Sequence, residues 1–195
     1  ATRVNENGLI EEVASNVPRL DYSDGGCPSL LLEPTATNLI TYSEDFSNVA
    51  WTKNGSSVVG SNSSPDGTSN AYKIVEDTST GSHRVFTGNQ TVSNGATVTT
   101  SVFVKSGERT WFRLEESESG SGYYFNNGVV GSLIGSPVSY EIEAFSNGWF
   151  KYSITSVTPL TATRLMFRIA ESDGVISYTG DGTSGIYIYG AQLEE

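Results

Sequence analysis

From Asn38 onward the chain is a run of short segments in which apolar and polar residues alternate, each ended by a turn. In "TRLMFRIAES" Leu165, Phe167 and Ile169 fall on one side, and Arg164, Met166 and Arg168 on the other. In "SVFVKSGERTWFRLEES" Val102 and Val104 oppose Ser101, Phe103 and Lys105, and Phe112 and Leu114 oppose Trp111, Arg113 and Glu115. Period two is the signature of a strand with one face buried, and no stretch of useful length repeats at the helical period. The predicted strands are 38–43, 70–76, 83–92, 96–105, 110–117, 122–126, 138–144, 149–157, 163–171 and 185–193. Between them stand turn signals such as "SPDGTSN", "SNGA", "NNG" and "TGDGTSG". Many short antiparallel strands at this spacing imply an all-β sandwich or barrel. Three Trp, ten Tyr and eight Phe supply the anchors for its core.

Residues 1–37 have a different texture. They show no sustained period and are interrupted by Pro18, the "DGG" turn and Pro34, so they read as an extended arm or connector. Within it "GLI" and "SLLLEP" are expected to dock as isolated strands. Residues 38–195 are then one domain, the default for a chain of 195 residues. The chain opens on Ala1 rather than Met, which reads as a piece of a larger polypeptide.

Other features remove whole classes of function. Cys27 is the one cysteine, which leaves neither an intrachain disulfide nor a thiolate zinc site. No apolar run reaches the length of a membrane span, and the N-terminus does not look like a signal peptide, so no membrane partner is expected. A formal charge of -11 argues against nucleic acid, whose partners present broadly basic faces.

Within this acidic chain the cations are unevenly placed: Arg84, Lys105, Arg109 and Arg113 fall in one stretch, and Lys151, Arg164 and Arg168 in another. If the valine, phenylalanine and leucine faces turn inward, Lys105, Trp111, Arg113 and Glu115 are displayed together. Sugar recognition needs both parts of that set, a flat apolar surface for ring faces and fixed polar groups for hydroxyls. Arg84 on the preceding segment and Arg168 on a later one join the face if the strand order brings them alongside. Of Tyr123 and Tyr124, alternation exposes one. The bland reading is a solvated sheet face whose cations pair with Glu108, Glu115, Glu116 and Glu118, contributing little.

Four motifs, "LLLEPTATNLITYSEDFSNVAWTK", "SVFVKSGERTWFRL", "NGWFKYSIT" and "YTGDGTSGIYIYGAQLEE", occur in an order that resembles the β-sandwich domain of phage tail-fibre and head-spike proteins. That domain is also found as a carbohydrate-binding module on bacterial polysaccharide-degrading enzymes. The resemblance runs from about Leu30 to the end. It implies a jelly-roll sandwich that binds polysaccharide without chemistry of its own, outside the cell or on a virion surface. It also implies structural roles for Trp51, Trp149 and the C-terminal "GAQLE". Some such modules hold a structural calcium. This chain has no contiguous Asp-rich loop, Asp181 alone is a weak candidate, and no cofactor is expected.

The expected function is therefore a non-catalytic module for an acidic polysaccharide, uronic or sulfated. The ligand would lie on a concave face carrying Arg84, Lys105, Trp111, Arg113, Glu115, Tyr123, Tyr124 and Arg168. Two alternatives stay open. One is a structural or host-attachment module of a phage fibre. The other is a jelly-roll polysaccharide lyase, for which Arg113, His83, Gln90 and Tyr123 are the available groups. His83 is the one histidine, no G-x-S-x-G occurs, and adjacent Glu115 and Glu116 point to opposite faces, which rules them out as a glycosidase pair.

Overall fold

In the computed structural model, which describes residues 2–14, 16–23, 25–32, 36–116 and 120–195, the alternating segments are strands of two facing sheets. In chain order the strands are β1 (Trp51–Asn54), β2 (Ser56–Asn62), β3 (Ala71–Glu76), β4 (Arg84–Thr87), β5 (Thr97–Ser106) and β6 (Trp111–Glu116). Then come β7 (Ser121–Asn126), β8 (Val129–Ile134), β9 (Ser139–Ala144), β10 (Phe150–Val157), β11 (Leu165–Ala170) and β12 (Gly185–Glu194). The first sheet has the order β9-β10-β5-β12-β3-β2 and the second β8-β7-β6-β11-β4-β1, with every pair antiparallel. The chain changes sheet between β1 and β2, β3 and β4, β4 and β5, β5 and β6, β8 and β9, and again on either side of β11. This wrapping is the jelly-roll sandwich expected from the sequence. Among the described residues there is no α-helix, only a 3-10 turn at Ser146–Gly148.

Alternation does place the core. Val102 and Val104 of β5, Phe112 and Leu114 of β6, and Leu165, Phe167 and Ile169 of β11 are buried between the sheets. Aromatic rings couple the layers: Tyr152 of the first sheet packs 4.9 Å from Phe112 and 4.8 Å from Phe125 of the second. Trp51 and Trp149 are buried, with Trp51 donating its indole N–H to the Tyr42 carbonyl at 2.8 Å, as their structural assignment requires.

On β12 the parity changes. Ile186 and Ile188 face inward, but so do Ala191 and Leu193. A bulge causes this: Ser101 pairs with Gln192 and Phe103 with Tyr189, leaving two residues opposite one. Gly190 supplies the left-handed conformation the bulge needs, at φ 57°. Tyr189 faces outward by ordinary alternation with Ile188, and the extra residue returns Ala191 and Leu193 to the core.

Residues 38–43, expected as a strand, form none. Asn38 instead uses its side chain to take the Leu193 N–H at 3.1 Å and give to the Ala191 carbonyl at 3.2 Å. Ile40 and Phe46 then drop into the core from irregular chain. In the N-terminal segment Thr2–Val4 pairs with Ile10–Glu12, and Leu20–Asp21 with Ser29–Leu30. It lies beside the outer face of the first sheet, where Thr2 and Ile10 line one cavity with Phe103, Lys151 and Tyr189. Asp24 of the "DGG" turn, Pro34 and Glu118 lie outside the described residues.

Candidate functional site

Register builds the site. Because Phe112 and Leu114 point inward on β6, Trp111, Arg113 and Glu115 stand on the outer face of the second sheet. Arg113 is directly opposite Arg168 of β11, and Arg168 opposite Arg84 of β4. The row continues to Tyr124 of β7 on one side and Asn54 of β1 on the other. The next row runs Gly122, Glu115, Met166, Phe86, Thr52. Across these two rows three guanidinium groups meet a single carboxylate.

That carboxylate is a clamp rather than a displayed group. Glu115, 2% exposed, pairs with the Arg113 guanidinium through one oxygen and accepts from Arg168 Nε at 2.8 Å through the other. Arg168 also donates to Ser82 Oγ at 3.0 Å. Among the described residues Arg84 has no such partner: its Nε is buried without a hydrogen bond. Burial, and then repulsion from Arg168, lowers the pKa of the Arg84 guanidinium, against the attraction of Glu115. Its plane rests 5.5 Å from the ring of Phe86, which Arg164 approaches to 5.2 Å. The Arg113 Nε is likewise buried and unbonded, and its guanidinium lies 5.8 Å from the ring of Tyr124.

Trp111 stands at the end of this face, partly exposed. Gly131 of β8 lets the indole lie close, since a Cβ there would come within 2.7 Å of its ring and 2.8 Å of Asp173. With the Asn126 amide turned so that its oxygen faces the indole, it accepts from Trp111 Nε1 at 3.2 Å.

Of the residues expected together, Arg84, Trp111, Arg113, Glu115, Tyr124 and Arg168 share one face, and two do not. Lys105 belongs to β5 of the first sheet. The "SGER" turn carries the chain across the sandwich, so Lys105 and Trp111 face outward in opposite directions. Tyr123 pairs with Leu114 on the inner side and packs against Phe125 and Tyr140. Arg109 is also withdrawn, because it makes a two-bond pair with buried Glu76 at 2.9 and 2.7 Å. Arg164 and Phe86 were missed. Alternation with Leu165 placed Arg164 on the right side, but nothing local marks Phe86 as its neighbour.

Groups expected for catalysis or calcium are used elsewhere. His83 is 0% exposed, with its ring nitrogens 2.5 Å from the Gly55 carbonyl and 3.3 Å from that of Tyr178. Gln90 sits on the short Gln90–Thr91 strand paired with Ala162–Thr163, so the four groups named for a lyase do not share a face. Asp181 accepts from the N–H and hydroxyl of both Thr183 and Ser184, and these bonds hold its carboxyl well below the usual range. Among the described residues no group of three or more His, Cys, Asp or Glu is placed to hold a metal.

No protein-family model matches the chain, and no curated protein matches its sequence. Solved structures of similar shape include the TmCBM61 module in complex with beta-1,4-galactotriose, at 12% identity and a TM-score of 0.48, covering 82% of this chain and 99% of that one. Another is the enzymatically active domain of bacteriophage CBA120 tailspike protein 4, at 16% identity and 0.48, covering 80% and 21%. A third is the Clostridium thermocellum endo-1,4-beta-D-xylanase 10B with its CBM22-1 and GH10 modules and xylohexaose, at 17% and 0.47, covering 82% and 28%.

Proposed function

We propose that this chain is a non-catalytic carbohydrate-binding module whose ligand, an acidic polysaccharide, lies on the outer face of the second sheet. One observation carries the reading: strand register sets Arg84, Arg168 and Arg113 in a row across the sheet, beside Trp111, with one carboxylate between them. Arg84 is partly buried and repelled by its neighbours, so an anion supplied from outside relieves a cost the folded chain otherwise carries. A guanidinium holds a carboxylate or sulfate through two parallel bonds, and the indole covers a ring face. The acidic body opposes a polyanion at long range, so the contact is short-ranged and sensitive to salt.

The structures of similar shape bind galactotriose and xylohexaose, which accords with a glycan ligand at the level of class. Such a module acts outside the cell or on a virion surface, as part of a larger polypeptide. A glycan array of uronic-acid and sulfated polysaccharides tests the reading: binding to at least one acidic class, lost in Trp111→Ala, is expected, and an array blank in both acidic classes rejects it.

A second reading has an observation of its own. Val129 and Leu133 on the edge strand β8, and Val138 just beyond it, are 62%, 60% and 61% exposed. In a phage fibre these side chains would meet a second subunit. Light scattering that returns a stable trimer, together with a blank array, selects this reading.

A further inference from the structure

The opposite outer face carries a second, differently built surface. On the first sheet, four strands place polar residues in two rows: Ser139, Thr155, Thr99, Glu194 and Glu141, Ser153, Ser101, Gln192. Together with Lys151, whose ammonium is held 3.5 Å from the Glu143 carboxylate, these residues line a trough of about 440 Å³, within the range of roughly 300–1,000 Å³ usual for ligand sites. Its floor is made of short side chains on the two central strands. Ser101 and Ser153 are recessed to 5% and 9% exposure, while the longer Glu141 stands on one rim and Gln192 and Glu194 on the other. The Thr99 and Thr155 hydroxyls bond each other at 3.1 Å, and Ser101 donates to Gln192 at 3.3 Å. No partner is present for the carboxylates of Glu141 and Glu194 among the described residues, and the Gln192 amide N–H groups are equally unused.

We infer that this trough is a second glycan-binding surface, selective for a neutral, hydroxyl-rich polysaccharide. The two carboxylates can each accept two hydroxyls of a sugar ring, and they repel an anionic chain. They stand three strands apart, about 14 Å at the usual strand spacing, too far to share a metal ion. A peptide is a poor fit as well. The floor strands β5 and β10 have both edges paired, and the floor offers no apolar pocket for an anchoring side chain. Tyr140, between Ser139 and Glu141, turns its ring to the inner side against Tyr123 and Phe125, so the trough would hold its ligand through hydrogen bonds to its rims and floor. The module would then bind two glycan chemistries on opposite faces.

The test is affinity electrophoresis through gels containing hydroxyethyl cellulose, starch or dextran. It compares the wild type with the double variant Glu141→Ala/Glu194→Ala, with Thr99→Val, and with Trp111→Ala on the other face; circular dichroism confirms that each is folded. Both carboxylates lie at the rim without partners, so their removal leaves the fold intact. The expected result is retardation by at least one neutral polysaccharide that falls about tenfold in the double variant, falls in Thr99→Val and persists in Trp111→Ala. Absence of retardation in the wild type overturns the inference, and so does retardation lost in Trp111→Ala but kept in the double variant. The latter result would leave the arginine face standing as a glycan site of broader taste.

Discussion

Arg84 and Arg168 face each other across adjacent strands, and the Glu115 carboxylate that pairs with Arg168 makes its second pair with Arg113, away from Arg84. The row is therefore left one anion short at Arg84. Arg84→Ala should leave the melting temperature of the free protein unchanged or slightly raised, because a repelled guanidinium is lost. The same change should weaken binding to a polyuronate roughly tenfold or more, the scale of charged hydrogen bonds at about 1.5–3 kcal/mol. Thermal melts and binding titrations on one preparation check both halves.

Glu115→Gln should act in the opposite sense. It leaves Arg113 and Arg168 buried without their shared counter-charge, a loss of about 3–5 kcal/mol for a broken buried pair. A polyanion should then raise the melting temperature of this variant more than that of the wild type, because it binds the folded state and restores the missing charge. Differential scanning fluorimetry with and without polyuronate reads the difference.

A separate network fixes the far corner of the sandwich. Burial raises the pKa of Glu76, but bonds from Arg109, the Tyr178 hydroxyl at 2.7 Å and the Asp181 N–H at 3.0 Å outweigh it, leaving the carboxyl below its ordinary 4.5. A depressed carboxylate contributes stability that is complete above 4.5 and is lost as pH falls through the folded value. Urea unfolding in pH steps should show wild-type stability declining below pH 4.5, with the part due to Glu76 absent in Glu76→Gln.

The bulge on β12 gives the fourth prediction. Gly190→Ala places a side chain at φ 57°, with its Cβ 3.2 Å from the Phe103 ring. The left-handed conformation alone costs roughly 1–2 kcal/mol. Chemical denaturation should show at least that loss, and Gly190→Asn less of it.

What the sequence revealed, and what it hid, follows burial and chain crossing. Strands with both neighbours present carry strict alternation, so the core faces of β5, β6, β11 and the first half of β12 could be read directly. β1, β2 and β8 went unpredicted, and all three are edge strands. An edge strand such as "SSVVGSN" has fewer packing constraints, and its serines and glycine read as a loop. Trp111 and Arg113 were legible because one strand holds both. Lys105 was not, since local spacing says nothing about whether a four-residue turn makes a hairpin or carries the chain to the other sheet. Glu115 looked like a displayed acid; only the register that brings Arg168 alongside makes it a clamp.

The most direct measurement is affinity electrophoresis of the wild type, Trp111→Ala and Arg84→Ala in polyuronate gels at low and high salt. A glycan site on the second sheet predicts a wild type retarded at low salt and released at high salt, with both variants running free. Retardation of both variants equal to the wild type would contradict it.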